Sequence, residues 1–121
     1  MTDMTPAEFK CLRESMGLST KWLAERWDVA EYSVQRWERN RELPKALQRD
    51  LLLLKSQFDA TVKRDGGVSG GALIVPRTDI ESGEYPAAWH RAIAQRSREM
   101  NGGRILYYDD ESDIDGGADA R

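Results

Sequence analysis

The chain carries a single cysteine, Cys11, and a single histidine, His90. One cysteine cannot close an internal disulfide, and the pair cannot build a structural zinc site. His90 has no acid or nucleophile close to it in sequence, so a Cys/His or His-based catalytic centre is not expected. Long apolar runs are missing too: nothing approaches the roughly 18 uninterrupted apolar residues of a membrane span. The opening "MTDMTPAEFK" has no charged-then-apolar leader, which predicts an intracellular, cytoplasmic protein. The glycines of "DGGVSGG" do not sit between a strand and a helix with a lysine following, so they make a poor phosphate loop. Asp109, Asp110, Glu111 and Asp113 form a carboxylate run of the kind that solvates a chain end. The expectation is therefore a protein that is not an enzyme and that uses no cofactor and no metal.

What the chain does contain is the material of a soluble globular protein, 121 residues with 40% apolar and 32% charged side chains. That length suits one domain, or a small domain with an appendage. Its net charge of −3 is unevenly spread. Residues 1–57 hold ten Lys/Arg against nine Asp/Glu, residues 58–108 seven against six, and residues 109–121 one against six. The deficit lies in the tail, while Arg36, Arg39, Arg41, Lys45 and Arg49 form a local basic excess over Glu38 and Glu42. Distribution matters more than total charge for a polyanionic partner.

The first helix opens on Thr5-Pro6-Ala7-Glu8, a capping box with proline in the first turn. Phe9, Leu12 and Met16 follow at helical spacing, and Gly17 stops the run. Ser19 caps a second helix of about two turns containing Trp22, Leu23, Arg26 and Trp27. Asp28-Val29-Ala30 breaks the pattern. A third helix runs from about Glu31 to Arg39 with Val34 and Trp37 inward, and Asn40 reads as its left-handed terminator. Pro44 starts a long fourth helix whose stripe is Leu47, Leu51, Leu54, Phe58 and Val62, widened by Leu52 and Leu53. A helix apolar on more than one side is expected to pack against two things.

"GGVSGG", residues 66–71, reads as a flexible joint. Beyond it, Ala72 to Val75 is a short buried strand, Tyr85-Pro86 begins a helix with Trp89, Ala92, Ile93 and Met100 on its apolar side, and Asn101-Gly102-Gly103 ends that helix. "RILYY" is a second strand. Strand, helix, strand predicts a parallel crossover unit, right-handed by the usual rule. Two strands alone are marginal, so the unit invites completion by a second copy. "DDESDIDGGADAR" has nothing to bury and is expected to be disordered. The expected fold is thus mainly α with a small α/β part: a helical bundle with its long fourth helix over residues 1–65, the joint at 66–71, a strand-helix-strand dimerisation unit at 72–108, and an acidic tail at 109–121.

The three short helices have the proportions of a helix-turn-helix, whose second helix enters the major groove while the first braces it. The run "LSTKWLAERWDVAEYSVQRWERNRELP" resembles the Cro/repressor-like (XRE) helix-turn-helix family in Leu18-Ser19, Leu23-Ala24-Glu25, Val29 at the turn, Val34, Trp37-Glu38 and the polar exit to Pro44. Thr20 departs from the pattern, since many relatives place a phosphate-touching glutamine there. A narrower resemblance, carried by "SVQRWE", the long helix and the strand–Trp89 helix–strand order, is to the YdiL-like proteins and the anti-CRISPR-associated (Aca) autorepressors. Its match is weaker at the C-terminal end, where the segment between strand and helix is shorter.

The resemblance implies that the outward side of the third helix faces DNA. There Arg36 suits guanine, Gln35 adenine and Glu31 cytosine, with Tyr32 beside them. Ser33, Arg39, Asn40 and Arg41 suit phosphates, as do Thr20 and Lys21 at the start of the second helix. A carboxylate at Glu38 would be repelled by DNA; in related domains it pairs with an arginine of the first helix, which implies an Arg13–Glu38 ion pair. Core or subunit packing is expected for Trp22 and Trp27, with Trp22 either half exposed beside the DNA backbone or packed on the fourth helix. Leu51, Leu54, Phe58, Trp89, Ile93, Ile105 and Tyr107 are the expected dimer contacts.

The function expected on these grounds is a sequence-specific DNA-binding repressor, a homodimer on an inverted repeat, autoregulatory as the resemblance implies. An alternative is an antitoxin-like or adaptor protein that mainly binds a protein partner. A structured RNA hairpin is a third partner that a basic helix can engage.

Overall fold

A computed structural model of the chain describes residues 4–66 and 71–108. It is mainly helical with one small two-stranded parallel sheet. The elements are α1 (Pro6–Ser15), α2 (Thr20–Trp27), α3 (Glu31–Arg39), α4 (Lys45–Gly66), β1 (Ala72–Val75), a 3-10 turn at Asp79–Glu81, α5 (Ala87–Asn101) and β2 (Arg104–Tyr107). The chain divides into two compact units, Met1–Phe58 and Asp59–Arg121. No helix among the described residues is long and apolar enough to cross a membrane.

Local chemistry sets the boundaries in the first unit. Thr5 Oγ1 accepts from the Glu8 amide at 3.0 Å and Glu8 Oε1 accepts from the Thr5 amide at 2.9 Å, the reciprocal box that fixes the start of α1. Ser19 Oγ accepts from the Trp22 amide at 3.0 Å and starts α2. Gly17, at φ 71°, turns the chain between them. After α2 the left-handed residue is Asp28, at φ 55°, a conformation that Asp tolerates better than most side chains. Asn40, expected to be left-handed, instead sits at φ −154°. Asn40 N and Arg41 N both donate to the Arg36 carbonyl at 3.0 Å, so α3 is closed without a left-handed residue. Phe9, Met16, Leu18, Leu23, Val34, Leu43, Leu51 and Leu54 are buried in this unit.

The division between units falls inside α4, earlier than the 1–65 boundary expected from the sequence. The physical reason is that the last turns of α4 are held by α5: Val62 is buried, and its carbonyl accepts from the buried Ser97 Oγ of α5 at 3.2 Å. Residues 67–70 of the glycine-rich joint and the acidic tail 109–121 lie outside the described residues.

In the second unit β1 and β2 pair in parallel, with Ala72 opposite Arg104, Leu73 opposite Ile105, Ile74 opposite Leu106 and Val75 opposite Tyr107. α5 packs on this sheet and buries Ala87, Trp89, Ile93 and Ala94. Met100, expected on the apolar side, is exposed, because it lies in the last turn of α5 just ahead of the Gly102 cap. The segment between β1 and α5 is braced from several directions. Asp79 Oδ1 accepts from the Ala87 amide at 2.8 Å, Arg91 Nη1 donates to the Pro76 and Arg77 carbonyls at 3.1 Å, and His90 Nε2 lies 3.1 Å from the Ser82 carbonyl. Gly103 enters β2 at φ 104°, and a Cβ there would stand 2.7 Å from the Gly71 carbonyl oxygen. Only glycine fits that approach.

Candidate functional site

The polar side of α3 is built from the inside out. Val34 is fully buried and Trp37 and Glu38 are half-buried, so the helix spacing turns Glu31, Tyr32, Gln35 and Arg39 outward together. Glu31, Gln35 and Arg39 are exposed and Tyr32 is 61% exposed, while Arg36 is half-buried at their side. The Arg36 guanidinium lies over the Tyr32 ring, 5.6 Å from its centroid, one turn along the helix. Asn40 and Arg41, past the end of α3, are exposed, Lys21 is exposed on α2, and Ser33 is half-buried. The structure therefore gathers Glu31, Tyr32, Gln35, Arg36 and Arg39 on one side of α3.

Thr20 does not stand alone at the start of α2. Its Oγ1 donates to Glu31 Oε2 at 2.7 Å, tying α2 to the first residue of α3. The hydroxyl assigned to a phosphate and the carboxylate assigned to a base are thus partners of each other.

Beneath this side, the ion pair expected between α1 and α3 is present. Arg13 Nε donates to Glu38 Oε1 at 2.9 Å, Arg13 Nη2 lies 2.7 Å from the same oxygen, and Arg13 Nη1 donates to the Leu18 carbonyl at 2.9 Å. The two side chains are only 11% and 14% exposed. Arg13 thereby joins α1, the α1–α2 turn and α3, and a rigid fork suits that geometry better than a lysine would.

A second set of ties was not expected. Asp50 on α4 accepts from Arg26 Nε at 2.7 Å, from Arg26 Nη2 at 3.1 Å and from Trp27 Nε1 at 2.7 Å. The hydrogen bond from Arg26 holds the Asp50 carboxyl below its ordinary 3.8, with the Trp27 bond and the arginine charge acting in the same direction and partial burial opposing them. Trp27 also meets Phe9 and Trp37, with ring centroids 6.2 and 6.4 Å away. Trp27 is thus tied to α4 through Asp50 and meets two aromatic rings of its own unit, the core packing expected for it. Trp22 is half-buried with the Arg26 guanidinium 5.8 Å from its ring centroid. Residues 23 or more positions apart carry these contacts, and the sequence signal for them is only that an arginine and a tryptophan, adjacent near the end of α2, need polar partners.

The expected dimer contacts divide sharply. Leu51, Leu54, Phe58, Trp89 and Ile93 are buried within the chain itself, so they are corrected from interface to core. The regular stripe on α4 is the side its own chain covers, and the two leucines that widen it, Leu52 and Leu53, are 52% and 53% exposed. Ile105 and Tyr107 remain half-buried, beside a hollow of about 320 Å³ also lined by Val75, Arg91, Gln95 and Leu106. The Arg77 guanidinium covers the Tyr107 ring at 3.9 Å.

Among the described residues no group of three or more His, Cys, Asp or Glu is placed to hold a metal ion. Compared with protein-family models and with curated proteins, the chain matches none.

Proposed function

We propose that this protein is a sequence-specific DNA-binding repressor of the Cro/repressor-like helix-turn-helix kind, acting as a homodimer on an inverted-repeat operator. One observation carries the reading. α3 presents Glu31, Tyr32, Gln35 and Arg36 side by side over a buried Val34, with Arg39, Asn40 and Arg41 at its exit. α2, the turn through Asp28 and α3 serve as the motif, with α3 in the major groove. Arg36 and Gln35 have the donor and acceptor patterns that guanine and adenine complete. Arg39, Asn40, Arg41 and Lys21 take phosphates and set the register.

The Arg13–Glu38 pair keeps Glu38 away from the phosphates and fixes α3 against α1, so the reading side is rigid before DNA arrives. Self-association belongs to the second unit. Its parallel sheet is two strands wide among the described residues, and half-buried Ile105, Leu106 and Tyr107 are the apolar surface nearest its margin. Two heads on a two-fold axis read half-sites about 34 Å apart, which multiplies affinity and specificity. Repression follows from occupying a promoter, the protein's own operon in the reading that the YdiL-like and Aca resemblance suggests.

The test is selection of bound sequences from random double-stranded DNA by the full chain. An enriched inverted repeat is expected, and enrichment of nothing would remove the proposal. A second reading, an antitoxin-like or adaptor protein, is favoured by one feature, the exposed Leu52–Leu53 pair on α4. Co-purification of a stoichiometric protein partner whose binding is lost in Leu52→Asp/Leu53→Asp would select it.

A further inference from the structure

We infer that the hollow between α5 and β2 binds a small organic acid, a carboxylate on a compact apolar body, with Arg91 as its anchor. The site lies in the second unit and stands apart from the DNA-binding reading.

The argument begins with how arginine donors are used elsewhere in the chain. Arg13 gives Nη1 to the Leu18 carbonyl and turns its Nε–Nη2 edge to Glu38, and Arg26 turns the same edge to both oxygens of Asp50. That edge carries two parallel N–H groups, the fork that a carboxylate completes. Arg91 is half-buried and fixed through Nη1, which donates to the Pro76 and Arg77 carbonyls at 3.1 Å. Carbonyls orient a guanidinium without neutralising it. Among the described residues nothing accepts from the Nε–Nη2 edge of Arg91. Acids of the same unit are engaged otherwise: Asp79 accepts from the Ala87 amide, Glu81 from the Arg77 amide and Glu99 from the Gln95 side chain. Arg91 is therefore an oriented cation whose carboxylate complement is not among them.

The surroundings decide what kind of acid fits. Arg91 lines a hollow of about 320 Å³ with Val75, Gln95, Ile105, Leu106 and Tyr107, none of them acidic. That volume is at the small end of ligand pockets, and apolar walls with few polar groups are their usual lining. Val75 lies opposite Tyr107 and Leu73 opposite Ile105, so alternation puts Val75, Ile105 and Tyr107 on one face of the sheet. The Arg77 guanidinium covers the Tyr107 ring at 3.9 Å and adds positive charge at that end. A bare anion leaves the apolar walls unused, and a neutral apolar molecule leaves the guanidinium edge unmet. An acid with an apolar body satisfies both. Because Arg91 is already held by two carbonyls, little of its freedom remains to be lost on binding.

The experiment records amide spectra of the isotope-labelled full chain with phenylacetate, phenylacetamide and acetate added in separate titrations. Phenylacetate should give saturating shifts centred on Val75, Arg91, Gln95, Ile105 and Tyr107 at about millimolar concentration. Phenylacetamide, which keeps the shape and lacks the charge, and acetate, which lacks the ring, should each bind at least about tenfold more weakly. Arg91→Lys, which keeps the charge and loses the fork, should weaken phenylacetate about tenfold. Should that variant fail to fold, the comparison of the three probes on the wild-type chain decides by itself. Equal binding of acid and amide would overturn the anchoring role of Arg91, and shifts that do not saturate would overturn the site. Acetate binding as well as phenylacetate would overturn the part given to the apolar walls. Shifts spreading to residues 109–121 as phenylacetate binds would make the chain's own acidic end the occupant and overturn a small-molecule site. Binding seen only in Leu106→Asp, a variant directed at pairing, would make a second copy the occupant, with the same consequence.

Discussion

Each unit is braced by an arginine, and the two arginines do different work. In the first unit Arg13 ends on a carboxylate, Glu38, and satisfies the Leu18 carbonyl, so α1, the turn and α3 are tied by charge. In the second unit Arg91 donates to two backbone carbonyls, those of Pro76 and Arg77, and orders a connection. The first unit closes on itself, with polar residues outward and Phe9, Leu23 and Val34 fully buried. The second unit keeps half-buried Ile105, Leu106 and Tyr107 on a sheet of two strands. Under the proposed function, the completed bundle with its polar side would serve reading and the narrow sheet with half-covered apolar residues would serve pairing.

The largest effect is expected at Glu38. Glu38→Ala leaves Arg13 largely buried with only the exposed Glu14 carboxylate, 3.7 Å away, beside it, and should cost about 3 kcal/mol. Urea unfolding of the purified chain checks this, and a loss near zero would mean that the first unit is not held by charge. The second unit is tested by Gly103→Ala, which adds a Cβ 2.7 Å from the Gly71 oxygen at φ 104°. It should cost about 2 kcal/mol. Gly102→Ala, at φ 77° with open space around the position, should cost about 1 kcal/mol by thermal melting. Equal losses would show that the close approach to Gly71 contributes nothing.

Pairing is sharpened by Leu106→Asp. The variant should keep its helical circular dichroism and weaken self-association about tenfold or more in sedimentation. An unchanged mass would move the interface elsewhere. The smallest effect is at Asp50. Its carboxyl titrates below 3.8 in the folded chain because Arg26 stabilises the charged form. The unfolded chain therefore takes up this proton first, so the contribution is complete above the ordinary carboxylate range and is lost as pH falls through the lowered folded value. The stability advantage of wild type over Asp50→Asn should shrink as pH is taken from about 5 to about 3. A constant advantage across that range would remove the ionic part of the Arg26–Asp50 tie.

Much of the fold is written locally and can be read locally. The Thr5–Glu8 box, the Ser19 cap, the Gly17 stop and the four-residue apolar strands each act within a few residues, and each element forms where they place it. Decisions made between elements are less legible. Spacing identifies Leu51, Leu54 and Phe58 as one stripe, but only packing decides that the chain's own core covers it and that Leu52 and Leu53 are left outside. Asp28 is left-handed and Asn40 is not, although both helix ends close with an amide donating back five residues, so residue type alone does not announce which terminator turns. Trp27 finds Asp50 across 23 residues, and no periodicity announces such a pair. Thr20 and Glu31 are both picked out as polar surface residues, yet their hydrogen bond depends on the α2–α3 angle.

In the proposed function the polar side of α3, and not the second unit, meets DNA. Its most direct measurement is a titration of the isotope-labelled full chain with the selected operator, followed through backbone amide shifts. The largest changes are expected on residues 31–36 and on the start of α2 near Lys21, with residues 39–41 next. Changes concentrated on Leu52 and Leu53, or on β1 and β2, with residues 31–36 unmoved, would contradict it.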